Sequence, residues 1–259
     1  MKTIRWTVLF LAMASLAVAQ SAKYHYNVTV TVKQGMSQQY EDYIKKIVEA
    51  AEKNGDAQNW YAFQPTVGTT GGQYIFVLPH ESWAEKDSWT SPSDMLQKAF
   101  GEKEAATITR LGTVAVAKSE TTESTLAPAL STHLDRNDGV RARYLVSTSH
   151  VSPGRGGDYT YGVRKIRGAE AKAEGSPRRT TRRQILGDRN VFTTATGFDS
   201  GAERDKWPAF GDYMSAAYSE SEISQIMETL AGASERWVIV EIAYRPDLSH
   251  PEPASTTSN

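Results

Sequence analysis

The chain has 259 residues, 39% of them hydrophobic, enough for one large domain or two small ones with an ordinary packed core. Lys and Arg number 29 against 30 Asp and Glu, so no strong field of one sign is available to steer nucleic acid or an anionic membrane. Cysteine is absent, which excludes disulfides, thiolate metal sites and cysteine nucleophiles.

Residues 1–19 read as a cleaved signal peptide. Lys2 and Arg5 give a positive start, Trp6 to Leu16 an apolar run too short to span a bilayer, and Ala17-Val18-Ala19 a small-x-small cleavage site. The mature chain then begins at Gln20 with 27 cations against 30 acidic residues, a charge of −3. The segment is of bacterial type, so the expected location is the periplasm or the cell exterior, with no membrane association after cleavage.

The first predicted strand is Tyr24-His-Tyr-Asn-Val-Thr-Val-Thr-Val32. Its alternation puts Tyr26, Val28, Val30 and Val32 on one face and His25, Asn27, Thr29 and Thr31 on the other. A helix follows, with Ser37 as its expected cap, Glu41 and Asp42 in its first turn, and Tyr40, Tyr43, Ile44, Ile47, Val48 and Ala51 at helical spacing. Asn54-Gly55 closes it. Residues 60–67 and 73–78 flank Gly71-Gly72 as a hairpin. A helical turn near 82–88, a second helix over roughly 91–110 and a strand at 113–117 complete a β-α-β-β-α-β unit.

The same order recurs. A strand at 143–151, a weaker helix near 157–174 containing Gly162 and Gly168, a hairpin around Gly187-Asp188, a helix near 209–230 and a strand at 236–244 form the second unit. Side-chain identities repeat with it. Ala84-Glu85-Lys86-Asp87-Ser88-Trp89 is answered 118 residues later by Ala202-Glu203-Arg204-Asp205-Lys206-Trp207. At the same offset Ala99-Phe100, Glu102, Glu104 and Ile108 are answered by Ala217-Tyr218, Glu220, Glu222 and Ile226. Upstream, Tyr40 is answered by Tyr159 and Lys46-Ile47 by Lys165-Ile166. The expected division is module one at 24–118, a linker at 119–139, module two at 140–246 and a disordered tail at 247–259. The two hexapeptides fall between a strand and a helix, where their acidic residues suit a helix start and their tryptophans suit packing anchors or ligand platforms.

A β-α-β-β-α-β unit is ferredoxin-like, an antiparallel sheet with two helices on one face. On element order, the duplication and the strand–Trp–helix pattern around Trp89 and Trp207, the chain resembles the dimeric α/β-barrel (ferredoxin-like) superfamily in its fused tandem form. The resemblance implies an α+β fold in which two modules pair sheet to sheet as an intramolecular α/β barrel, with the helix-free faces lining its interior. Strand parity then assigns His25, Asn27, Thr29 and Thr31 from module one and Tyr144, Val146, Thr148 and His150 from module two. Glu241 interrupts the apolar last strand, and either Arg182 or Arg183 of the hairpin reaches inward. His25, Asn27, Tyr144, His150, Arg182, Arg183 and Glu241 are the candidate ligand-binding set. His25, Asn27, His150 and Glu241 are the candidate catalytic groups, since imidazole and carboxylate can act as base and acid. The competing reading of the same residues is a structural Glu–Arg pair with two histidines at strand ends.

No metal is expected. His25, His80, His133, His150 and His250 are scattered, without i, i+4 or His-x-His spacing. The resemblance includes the chlorite dismutases, which place an axial histidine on a module-two helix; none falls there here, so no haem or other cofactor is expected. The basic run 176–184 reads as a solvated hairpin edge rather than a nucleic-acid surface. Three functions stay open: binding of a small, largely apolar molecule, cofactor-independent monooxygenation or isomerisation in the barrel, and a non-catalytic interaction module. The chain would act as a monomer or homodimer.

Overall fold

The computed structural model describes residues 22–69, 71–136 and 138–250. Residues 1–19, expected as a signal peptide, and residues 251–259 lie outside the described residues. Eight strands hydrogen-bond in the order β1-β3-β2-β8-β5-β7-β6-β4 as a closed barrel, giving the α+β class that the duplicated pattern implies. The chain divides into two compact units, one containing the residues up to Thr122 together with those from Ala243 onward, the other Glu123–Ile242.

In the first unit, β1 (Tyr24–Val32) runs antiparallel to β3 (Gln73–His80), which also pairs with β2 (Tyr61–Val67). Helix α1 (Ser37–Asn54) packs across the sheet through Tyr40, Ile44, Ile47, Ala50 and Ala51 and ends on Gly55, whose φ of 64° only glycine adopts without strain. Ser37 is the first helical residue and not the cap; its hydroxyl bonds to Tyr74 instead. The helical turn expected near 82–88 is α2 (Trp83–Asp87), and the single expected second helix is two pieces, α3 (Pro92–Phe100) and α4 (Glu102–Ala115). Gly101, at φ 81°, breaks the last two apart.

In the second unit, β5 (Arg143–Val151) pairs antiparallel with β7 (Val191–Phe198), and β7 with β6 (Arg179–Leu186). Helix α5 (Gly156–Glu170), the turn α6 (Gly201–Arg204), α7 (Phe210–Ala217) and α8 (Glu220–Ala233) match their module-one counterparts in order.

The two last strands correct the expected boundaries. β4 (Val116–Leu126) includes residues 119–126, expected as linker, and its end pairs with β6, Leu126 opposite Arg182. A 3-10 turn at Pro128–Leu130 follows, and Leu130 is buried with Tyr159 and Phe192. β8 (Ser234–Tyr244) behaves in the same way. Beyond it Arg245 donates its backbone N–H to Ala62, and a 3-10 turn at Pro246–Leu248 buries Leu248 in the module-one core. Residues 247–250, expected as disordered tail, are ordered, with Ser249 and His250 buried. The repeat therefore extends to its last turns, each of which finishes the other module's unit.

The repeated hexapeptide marks a repeated cap. Ser82 and Ser200 accept from the N–H of Glu85 and Glu203, whose carboxylates accept from the N–H of Glu81 and Asp199 at 2.8 and 2.9 Å. The tryptophans close the corner edge-on, Trp89 to His80 and Trp207 to Phe198. A second correspondence is inverted. A Cβ on Gly112 of α4 would meet the Tyr43 ring of α1 at 2.4 Å, whereas a Cβ on Gly162 of α5 would meet Leu230 of α8 at 2.4 Å. Gly162 stands where Tyr43 stands and Leu230 where Gly112 stands, so the large and small partners have changed helices.

Candidate functional site

On the helix side of the module-one sheet lies a cavity of ≈ 420 Å³. β1 contributes Tyr26, Val28 and Val30 to its wall, α1 Tyr40, Tyr43, Ile44 and Ile47, β3 Phe76 and Leu78, the α2–α3 connection Trp89, Thr90 and Ser91, and α3 Pro92 and Met95. These strand residues are the apolar parity of β1, as the alternation predicts. Volume and lining are those of a small-molecule site, apolar with few polar groups.

Trp60 and Gln58 complete the wall, and the segment after β8 holds both. Trp60 exchanges backbone hydrogen bonds with His250, stacks on its ring at 4.9 Å, and donates Nε1–H to the Leu248 carbonyl at 2.9 Å. His250 Nδ1 donates to the Gln58 carbonyl at 2.9 Å, which fixes that tautomer, while Asp56 accepts the Gln58 N–H. Gln58 Oε1 is buried and meets no hydrogen-bond donor among the described residues. The wall contains no carboxylate, ammonium, guanidinium or imidazole. Burial pushes the phenols of Tyr40 and Tyr43 up, so both stay neutral. At the rim, the Lys86 ammonium sits 4.2 Å over the Tyr26 ring, and Trp89 meets Tyr26 edge-on.

Module two has a different interior at the corresponding positions. Arg179 replaces Trp60, Ser147 and Ser149 replace Val28 and Val30, and Thr194 and Thr196 replace Phe76 and Leu78. The buried Glu170 accepts from Arg179 Nε at 2.6 Å and from Arg167 at 2.8 Å, and Arg179 also reaches Thr196 at 2.8 Å. The Arg179 guanidinium lies 5.8 Å over Trp207. Both cations are needed, since a lone buried carboxylate would cost several kcal/mol or take up a proton.

The residues selected by strand parity are found as follows. His25 and Asn27 lie half-buried on the helix-free face of β1, with Asn27 donating to the His25 carbonyl at 3.4 Å. Tyr144 and His150 share the helix-free face of β5. The Tyr144 phenol accepts from the Arg141 N–H at 2.9 Å, and His150 stands 4.0 Å from Asp188. Arg182 is buried on that same face, in line with Thr193 and Thr148. Arg183 points the other way, exposed over the Phe192 ring.

Glu241 is a correction. It stands 3.6 Å from Arg143 and 3.8 Å from Arg204 of the α6 turn, on the face that carries Ser149 and Val151 to the helices. Its parity mates Trp237 and Ile239 are exposed, and the intervening Val238, Val240 and Ile242 are the more buried series. Glu241 thus does not share a face with His150 and Arg182.

The module-two helices carry no histidine, and Glu170, Arg167 and Arg179 occupy the space beneath them, so the residues present do not fit a haem with an axial histidine. Among the described residues no group of three or more His, Asp or Glu is placed to hold a metal ion.

Neither a family model nor a curated protein sequence matches the chain. Solved structures do. A proposed monooxygenase from Fusobacterium nucleatum subsp. nucleatum superposes with a TM-score of 0.51 at 11% identity, over 86% of this chain and 93% of that one. A variant chlorite dismutase from Candidatus Nitrospira defluvii gives 0.51 at 7% identity, over 87% and 93%. A second variant of that enzyme, in complex with cyanide, gives 0.50 at 9% identity, over 90% and 95%. What the chain shares with them is the fold, two tandem ferredoxin-like modules whose eight strands close a barrel.

Proposed function

We propose that the protein binds a small, largely apolar molecule in the module-one cavity. The observation that carries this reading is a ≈ 420 Å³ space walled by aromatic and aliphatic side chains. The reading includes export, on the strength of residues 1–19. Cofactor-independent oxygenation is the second reading, favoured by the proposed activity of the Fusobacterium neighbour. Binding is preferred because the wall offers no imidazole or carboxylate to take a substrate proton.

The test is calorimetric titration with a bicyclic probe, 1-naphthalenemethanol, against the protein and its Val28→Phe variant. The added ring enters the cavity from β1, so binding should fall at least about tenfold while the melting temperature holds or rises. Undiminished binding by Val28→Phe would place the ligand elsewhere. The competing assignment, to His25, Asn27, Tyr144, His150 and Arg182 on the helix-free faces, predicts instead that a His25→Ala, His150→Ala double variant loses the probe. Oxygen uptake with 1-naphthol as substrate separates turnover from binding alone.

A further inference from the structure

Module one closes one corner with an internal ion-pair network that module two lacks. Arg245 holds Glu41 and Asp247, each through two hydrogen bonds, and reaches Gln64 at 2.8 Å. Tyr74 donates to Glu41 at 2.7 Å, and Lys45 stands 3.4 Å from Asp247. The repeat identifies the matching positions. Arg245 donates its backbone N–H to Ala62 as Ala127 does to Thr181, and Tyr40 meets the Tyr74 ring at 5.1 Å as Tyr159 meets Phe192 at 4.7 Å. On that correspondence Ala127 replaces Arg245, Ala129 replaces Asp247, Thr160 replaces Glu41 and Phe192 replaces Tyr74. Lys45 and Gln64 become Arg164 and Arg183. Both carboxylates are gone, and two guanidiniums stand in their neighbourhood.

A cavity of ≈ 510 Å³ occupies this corner, with Thr160, Arg164, Arg183 and Phe192 in its wall beside Tyr161. Gly156 and Gly157 widen it where module one has Ser37 and Gln38; a Cβ on either would meet nothing within 4 Å. The wall contains no carboxylate. Neither arginine forms an ion pair among the described residues: Arg183 reaches the Arg189 carbonyl at 3.4 Å and the face of Phe192. The nearby carboxylates are engaged, Asp158 with Arg155 at 2.6 Å and Asp188 with the Asn190 N–H at 3.0 Å. We propose that this cavity is a second ligand site, for a small molecule that carries a carboxylate or phosphate on an aromatic body. The anionic group takes the place that Glu41 and Asp247 hold in module one, against Arg164 and Arg183, whose planar guanidiniums suit either oxyanion. The body packs on the rings of Phe192 and Tyr161. One module thus supplies both halves of the ion pair itself, and the other supplies the cationic half alone.

Benzoate, phenyl phosphate and the neutral benzyl alcohol test it, each titrated calorimetrically into the full chain at low and at high salt. At least one anion should bind at least about tenfold more tightly than the alcohol, and should weaken as salt is raised. Thr160→Glu introduces the carboxylate that Glu41 supplies in module one, four residues before Arg164 on the same helix. Its melting temperature should hold or rise while the Kd of the anion rises at least about tenfold. The double variant Arg164→Met, Arg183→Met should show the same loss. Val28→Phe, which fills the module-one cavity, should leave anion binding unchanged. Failure of both anions to bind, or benzyl alcohol binding as tightly, overturns the second site and leaves the module-one reading standing. Undiminished anion binding by either folded module-two variant does the same. Anion binding that Val28→Phe abolishes also overturns it, by assigning the anion to the first cavity.

Discussion

Two residue clusters outside the cavity make stability fall as pH falls, in two different windows. Arg245 holds Glu41 through both guanidinium nitrogens, at 2.9 and 2.8 Å, and also bonds to Asp247 and Gln64. Arg245 keeps the Glu41 and Asp247 carboxyls below their ordinary values, and the buried Tyr74, which donates to Glu41 at 2.7 Å, is pushed up to about 12 by burial and by that carboxylate. A depressed carboxyl contributes stability above its unfolded value of 4.5, and the contribution is lost as pH falls through the lower folded value. Denaturation midpoints should therefore fall steeply below about pH 4.5. Arg245→Met should lower the midpoint at pH 7 and flatten that acid limb; a limb of unchanged slope would remove Arg245 from the account.

His133 works near neutrality. It is the one non-glycine residue at positive φ among the described residues, at 52°, with Nε2 2.6 Å from the buried Ser176 hydroxyl. Burial, then Arg136, pushes its imidazole below the ordinary 6.5. A histidine held neutral contributes stability above the unfolded value and loses it as pH falls toward the folded one. Midpoints should decline from about pH 6.5 downward, and His133→Asn, which tolerates the left-handed backbone, should remove that decline. Single residues were the least legible part of the sequence. Gln58 sits in no motif, and Glu241 was placed on the wrong face because polarity inside an apolar run was taken to mean an interior, where Arg143 and Arg204 supply an outer partner.

Helices and strands were more legible than their ends. The periodicity of α1 and the alternation of β1 follow from faces that carry the buried Tyr40, Ile44 and Ile47 and the buried Val30 and Val32. The break between α3 and α4 went unseen because the apolar spacing continues across Gly101 while only its φ changes. The part of β4 from 119 to 126 was taken for linker because its polar residues, exposed as far as Thr121, carry no alternation to read. The low helix propensity of α5 has a packing cause at Gly162, where Leu230 fills the space that a side chain would need. Gly162→Ala should cost about 1–3 kcal/mol by overpacking, and adding Leu230→Ala should recover part of that loss. Additive losses in the double variant, read from urea midpoints, would show that the two residues do not share the crossing. Gly112→Ala against Tyr43 gives the same test in module one.

At the scale of the whole chain, the duplication was legible because matches from Tyr40 to Ile108 keep an offset of 119 and then 118 residues. The ownership of the last turns was not, since polar segments such as 245–250 show their role only through what they touch. A chain ended after Tyr244 should expose the consequence. The amides of Trp60 and Ala62 should lose hydrogen-exchange protection, because His250, Ser249 and the residues around them supply their partners. Retained protection at Trp60 would mean that the segment is dispensable for the site.

The same ownership bears on inheritance. A gene severed between codons 139 and 140 would yield two polypeptides, each exporting its closing turn to the sibling and owning none of its own. Such fragments should be poorly ordered alone and become folded on mixing. For a doubled gene, that mutual dependence makes loss of either copy destabilising, even though the apolar cavity lies in the first.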